Sequence, residues 1–455
     1  MVCVSVLLPA LVLIWLLFAW HSERLAPVRS IVGAAARLTF TPSARARADL
    51  QAELATIKAA GEPVTIEEVT PPEVPDAENA AVLYQQAFAR LNLSPADERA
   101  LSDLTASIRQ PPKRQPPRIA TIEPIIANNA AAIELLEAAA RRPKCRFPVD
   151  WSDPVNAEYP HHAKLRRCSR LLAAETALEA RRGRMVRALH AAQVSFAMGE
   201  AIRSEPSLLG LFSRYAIQAV TLRALQAALA DRPARTSACR DLFNYLQQVE
   251  FTQSFRRALL ANRAEGIWCF RYVRRNPSGI TNLVGGDPQV FKKMYSGRQS
   301  GKMLDLDEAT YLHLMSEQIP VASKPWREDP QVGELLEHRL EGLPPYCVMT
   351  VTLLPIFAHT SAKRDALMSQ VGLCQTALAL KAYKDQKSSF PASLGDLRQV
   401  ISWPLPQDPF SGRDFVYRRQ GDGFLLYSLG PNLKDDGGTL SQGWDKGDIT
   451  WRCAR

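Results

Sequence analysis

The sequence predicts a mostly α-helical protein that ends in a small α+β domain, and three observations carry that expectation. Residues 2 to 20 form an unbroken apolar run, residues 160 to 274 repeat apolar side chains at three- and four-residue steps, and residues 414 to 430 alternate as a hairpin does. The 455 residues are 46% hydrophobic and 22% charged, ordinary globular composition that argues against disorder, collagen or a polytopic transporter. At roughly 100 to 200 residues per domain, this length accommodates two or three cores.

The first element is VCVSVLLPALVLIWLLFAW at residues 2 to 20. It carries no charge, and about 20 such residues cross about 30 Å of hydrocarbon. Trp15, Phe18 and Trp20 crowd its exit side and no small-x-small step follows, which favours an uncleaved anchor over a cleavable signal peptide. A buried helix with no polar face would have to be covered all round. Residues 1–21 are therefore read as a transmembrane signal anchor, 22–75 as a linker or stalk jointed at Pro63, Pro71, Pro72 and Pro75, 76–361 as an α-helical domain and 362–455 as a C-terminal domain. Arg24, Arg29 and Arg37 follow the span and no basic residue precedes it. Taken alone, the positive-inside rule leaves the bulk of the chain in the cytoplasm.

In the helical part, Asp76 is expected to cap a helix carrying Ala80, Leu83, Tyr84, Ala87, Phe88 and Leu91 on one face. The Pro- and Arg-rich stretch 105–121 reads as a loop, and Pro124 as the start of the next helix. Pro160 opens a run that ends near Gly183. A second runs from Arg184 to Glu205-Pro206, a third ends at Asp231-Arg232-Pro233, and another begins near Ser237. Runs of about 20 residues with short Gly or Pro joints make antiparallel helical hairpins, as in a bundle or a short solenoid. Residues 276–302, rich in Gly, Asn and Ser, read as a long connection, after which Asp305 or Asp307 is expected to cap a helix. The Pro-interrupted apolar stretch 343–358 reads as a buried packing segment, followed by a helix from about Ala362 to Tyr383.

A net charge of +10 invites a nucleic-acid reading, but Arg166, Arg167, Arg170, Arg181, Arg182 and Arg184 alternate with apolar residues on helical segments. That pattern is a solvated face; anionic lipid headgroups suit it better than nucleic acid, which is not an expected partner. The eight cysteines contain no C-x-x-C pair, so they read as small buried hydrophobes, although an oxidising compartment would allow Cys145 and Cys168 to pair.

No phosphate loop, His-Glu-x-x-His helix or Gly-x-Ser-x-Gly elbow occurs. His161 and His162 are adjacent, and neighbours on a helix point about 100° apart; behind Pro160 they read as a polar helix start, not a ligand pair. Asp305 with Asp307, and Glu334 with Glu337, read as carboxylates at helix starts or on exposed faces. The scattered Trp151, Trp268, Trp326, Trp403, Trp444 and Trp451 read as core or interface anchors. The chain is therefore expected to be noncatalytic, with an envelope hydrolase built in the helical domain as the alternative.

The last segment has a different grammar. DFVYRR at 414–419 and FLLYSLG at 424–430 flank Gln420-Gly421-Asp422-Gly423, where Asp-Gly supplies the positive φ of a tight hairpin turn. Beyond the hairpin comes a loop of glycines and oxygen donors. The ordered set Tyr383, Phe390-Pro391, Leu394, Asp408-Pro409-Phe410, Gly412, Tyr417-Arg418, Tyr427-Ser428-Leu429-Gly430 and Asp448-Ile449 resembles the globular domain of type II secretion major pseudopilins (protein G-like) over residues 362–452. The resemblance implies a long helix beside a β-hairpin, placement on the outer face of the inner membrane, and a loop that binds calcium. Its ligand candidates are Asn432, Asp435, Asp436, Asp445 and Asp448, and hard oxygens on a Gly-rich loop suit calcium chemically. No Gly-Phe-Thr-x-x-x-Glu leader precedes the span, and some 340 residues separate anchor from module, so processing as a pilus subunit is not expected. The combined expectation is a single-pass inner-membrane protein with a periplasmic bulk and a structural or interaction role among envelope or secretion-related proteins.

Overall fold

The computed structural model describes residues 45–107, 119–154, 156–230, 232–277, 300–354, 359–439 and 447–453. The apolar run at 2–20 lies outside them. Among the described residues no single helix is long and apolar enough to cross a membrane; the nearest is a bent pair, 119–128 with 130–140, broken by 68°.

Among the described residues, sixteen α-helices precede or flank one three-stranded sheet. The first two, α1 (Ala46–Ala59) and α2 (Ile66–Val69), belong to the stretch read as a stalk. Leu50 and Ile57 of α1 are nonetheless core residues, and α2 is fixed by a capping box between Thr65 and Glu68. Four helices follow: α3 (Ala80–Arg90), α4 (Pro95–Ser107), α5 (Ile119–Asn128) and α6 (Ala130–Ala140). Asn79, not Asp76, caps α3 by accepting from the Ala81 N–H. Pro124 lies inside α5 instead of opening it, and the break comes at Asn129. The Asn129 amide donates to the Ile125 and Asn92 carbonyls, so a single side chain satisfies the kink.

The three long runs are α7 (Pro160–Arg181), α8 (Met185–Glu200) and α9 (Leu208–Ala230), packed against one another. Gly183, at φ +75°, makes the α7 to α8 joint, a conformation in which a side chain would be strained. Helices α3 to α6 lie on this group and share a core of Tyr84, Leu101, Ile122, Leu136, Leu165 and Met198.

A second and larger core gathers α10 (Thr236–Leu246), α11 (Thr252–Arg275), α12 (Ser300–Val321), α13 (Val332–Glu341), α14 (Val348–Leu353) and the 28-residue α15 (Thr360–Lys387). It runs without interruption from Leu50 through Leu225, Phe243 and Leu312 to Phe424 and Trp451. Because α12 begins at Ser300, Asp305 and Asp307 lie within it and do not cap it. Both are buried, contrary to the sequence reading. Asp307 instead accepts from the N–H groups of Met349 and Thr350 and from the Thr350 hydroxyl, capping α14 from a neighbouring helix. Of the segment 343–358, residues 348–351 are buried and 355–358 lie outside the described residues.

After α16 (Leu394–Val400), the chain forms β1 (Val416–Gln420), β2 (Gly423–Ser428) and β3 (Ile449–Cys453), antiparallel in the order β1-β2-β3. Gln420 pairs with Gly423, and the positive φ of the two-residue turn is at Gly421, so that glycine, not the Asp-Gly step, makes the hairpin. Strand β3 has no counterpart in the sequence reading. Cys145 and Cys168 are both free thiols, as are the other described cysteines.

Candidate functional site

The loop between β2 and β3 brings four of the five candidate calcium ligands together, and Asp445 lies outside the described residues. Its path is set by left-handed backbone at Gly430, Leu433, Gly437, Gly438 and Gly447. Asp448, 1% exposed, accepts from the N–H of Gly438 at 2.6 Å and of Asp436 at 3.4 Å. Asp435 accepts from the Tyr427 hydroxyl and the Gly437 N–H, both at 2.9 Å, while the Asn432 amide donates to Asp436 at 2.8 Å.

Electrostatics separate these carboxylates. Burial raises the Asp448 pKa against the pull of its two N–H donors, and the charges of Asp436 and Asp435 raise it further. Asp435 is lowered by the Gly437 N–H and the Tyr427 hydroxyl. Hard oxygen donors suit a divalent cation, but among the described residues the carboxylates of Asp435, Asp436 and Asp448 do not gather within 4.8 Å of one another.

Asp408 holds the root of this loop. It is 1% exposed and accepts from the Ser428 hydroxyl at 2.7 Å and from the N–H groups of Phe410, Ser411 and Leu429. The Asp-Pro-Phe step of the sequence motif thus acts by fixing where β2 ends. A cleft of about 210 Å³ lies beside it, lined by Lys324, Arg327, Arg364, Asp365 and Asp408 among others. This is below the roughly 300 Å³ at which small-molecule sites usually begin. Its Arg364 is spent on the Asp365 carboxylate and the Lys324 carbonyl.

A different cluster escaped the sequence reading. His161 and His162, the second and third residues of α7, both reach Glu205 in the turn before α9. His161 Nε2 lies 2.6 Å from Glu205 Oε1, and His162 Nε2 lies 2.6 Å from Glu205 Oε2. The rings splay as adjacent helical residues must, at an interplanar angle of 71°. The carboxylate enters between them, one oxygen to each ring, so divergence does not prevent convergence on a common partner. The only sequence signal was the adjacency itself, because Glu205 is 44 residues from His161.

The remaining described aromatics and histidines are dispersed. Trp403 packs on Phe243, Trp326 donates to the Pro431 carbonyl and Trp451 is in the main core. His190 and His313 lie at half-exposed positions beside Glu137 and Glu53. Comparison with family models, with curated proteins and with solved structures finds no match to this chain.

Proposed function

We propose that this chain is a bacterial inner-membrane protein, anchored through residues 2–20, whose exported bulk has a noncatalytic structural or protein-interaction role at the cell envelope. Its pseudopilin-like C-terminal module is a calcium-binding head joined to the helical body. One observation carries the reading: α15 lies against an antiparallel sheet whose hairpin and acidic loop follow it in the chain order that the resemblance implies. For the rival hydrolase reading, the one buried group of convergent acids and histidines among the described residues is His161, His162 and Glu205, which are 5%, 2% and 8% exposed.

Labelling of a Lys387→Cys variant of the full chain in intact cells, with a thiol reagent that passes the outer but not the inner membrane, tests the placement. Lys387 ends α15 and is exposed. Labelling before lysis, together with resistance of the protein to carbonate extraction from membranes, is the expected result. Labelling only after lysis would return the bulk to the cytoplasm and sink the proposal.

A further inference from the structure

The donor set at the base of α7 is that of a transition-metal site. Two imidazole nitrogens and one carboxylate oxygen, all mutually within 4.8 Å, are presented by buried side chains. Imidazole with carboxylate is the ligand chemistry of zinc and its neighbours; calcium would want oxygen donors only.

The surroundings hold these donors in place. The His161 ring stacks on Phe147 at 4.2 Å and 11°, and the His162 ring on Tyr159 at 5.0 Å and 14°. Both stacks fix ring planes with apolar faces, leaving the Nε2 edges directed at Glu205. Gly210, in the first turn of α9, makes room for the carboxylate: a Cβ there would fall 2.9 Å from Glu205 Oε2. Burial lowers the His162 pKa against the pull of the Glu205 carboxylate. Burial raises Glu205, but its hydrogen bonds to the two histidines outweigh that, and its pKa is lowered. A bound cation would offset the cost of holding the Glu205 carboxylate inside the protein.

Geometry allows the ion with small movements. Bonds of about 2.0 to 2.2 Å in a tetrahedral site place donor atoms roughly 3.3 Å apart. The present separations of 2.6 Å are hydrogen-bond distances, so each donor withdraws by less than about an ångström while each neutral ring takes the tautomer with its proton on Nδ1, freeing the Nε2 lone pair. Three protein donors leave the fourth tetrahedral position to a molecule from solvent.

We propose that His161, His162 and Glu205 form a buried structural site for a zinc-class divalent metal that staples the start of α7 to the turn before α9. This goes beyond the envelope role and is independent of the calcium loop. The full chain, stripped with a strong chelator and reloaded with Zn2+ or Co2+ alone, tests it. One equivalent of zinc is expected to survive dialysis and to raise the unfolding temperature. Cobalt is expected to give intense tetrahedral d–d absorption. Glu205→Gln and His162→Gln are expected to weaken binding by more than about 100-fold, beyond what losing a merely orienting partner costs. Failure of the stripped wild type to take up either metal would overturn the site, as would undiminished binding by folded variants. Should the variants not fold, the wild-type cobalt spectrum decides: weak octahedral bands overturn the proposal and intense tetrahedral bands support it.

Discussion

The Phe415 ring lies directly over Gly372, so that a Cβ placed on this α15 glycine would fall 2.7 Å from the ring's outer carbon. Pro406 closes the other side at 3.3 Å. The contact joins the long helix to the segment leading into β1; Phe415 belongs to the principal core, and the buried Gly372 lies between its members Val371 and Leu373.

Gly372→Ala is therefore expected to destabilise the protein by about 1–3 kcal/mol through overpacking, against a helix-propensity gain of about 1 kcal/mol. Gly301→Ala is the control. That glycine is also helical, but nothing lies within 4 Å of its added Cβ, and it is expected to be neutral or stabilising. Urea unfolding of the two variants checks the contrast; equal effects would show that the ring moves aside freely.

Glu62, in the segment after α1, receives Arg263 at 2.8 Å and Arg256 at 2.5 Å. Arg263 is fully buried and keeps only the Pro63 carbonyl besides. Glu62→Ala should cost about 3 kcal/mol, chiefly by stranding that guanidinium. A loss under about 1 kcal/mol in denaturant titration would mean that water reaches Arg263.

Glu265 gives the clearest pH dependence. Burial pushes its pKa up to about 7 from an ordinary 4.5, so between those values the folded chain holds a proton that the unfolded chain releases. Its contribution makes stability fall as pH rises through that window and stay reduced above it. Glu265→Gln removes the penalty. Stability measured from pH 4.5 to 8 should show the variant pulling ahead of wild type up to about pH 7 and then running parallel; a constant gap across the range would contradict this.

Asp448→Ala removes the acceptor for the Gly438 and Asp436 N–H groups. It should expose the β2 to β3 loop to proteolysis while leaving helical circular dichroism intact. If the loop takes calcium, millimolar calcium raises the melting temperature of the wild-type chain and not of this variant. Absence of both heat and thermal shift in the wild type would leave the loop fastened by hydrogen bonds alone.

What was legible in the sequence was local. Pro160, Gly183 and the alternation around Gly421 mark element ends by backbone chemistry confined to a few residues, and the structure places joints there. Strand β3 escaped notice because ITWRC is five residues long with polar Thr450 and Arg452, and only its pairing with β2 makes it a strand. Asp307 was misassigned for a related reason: its partners, Met349 and Thr350, are more than 40 residues away. The same distance hid Glu205 from the histidines. Short-range rules see caps and turns, whereas polar groups that meet across the core announce themselves only in three dimensions.

The main core takes Leu50 from near the beginning of the described chain and Trp451 from its last strand, and the Cys453 thiol donates to the Leu229 carbonyl in the middle. An enclosure that needs its final plank cannot close early. The ribosome must therefore release nearly the whole polypeptide before the body can seal, so the main core is expected to close in one late cooperative step and not segment by segment.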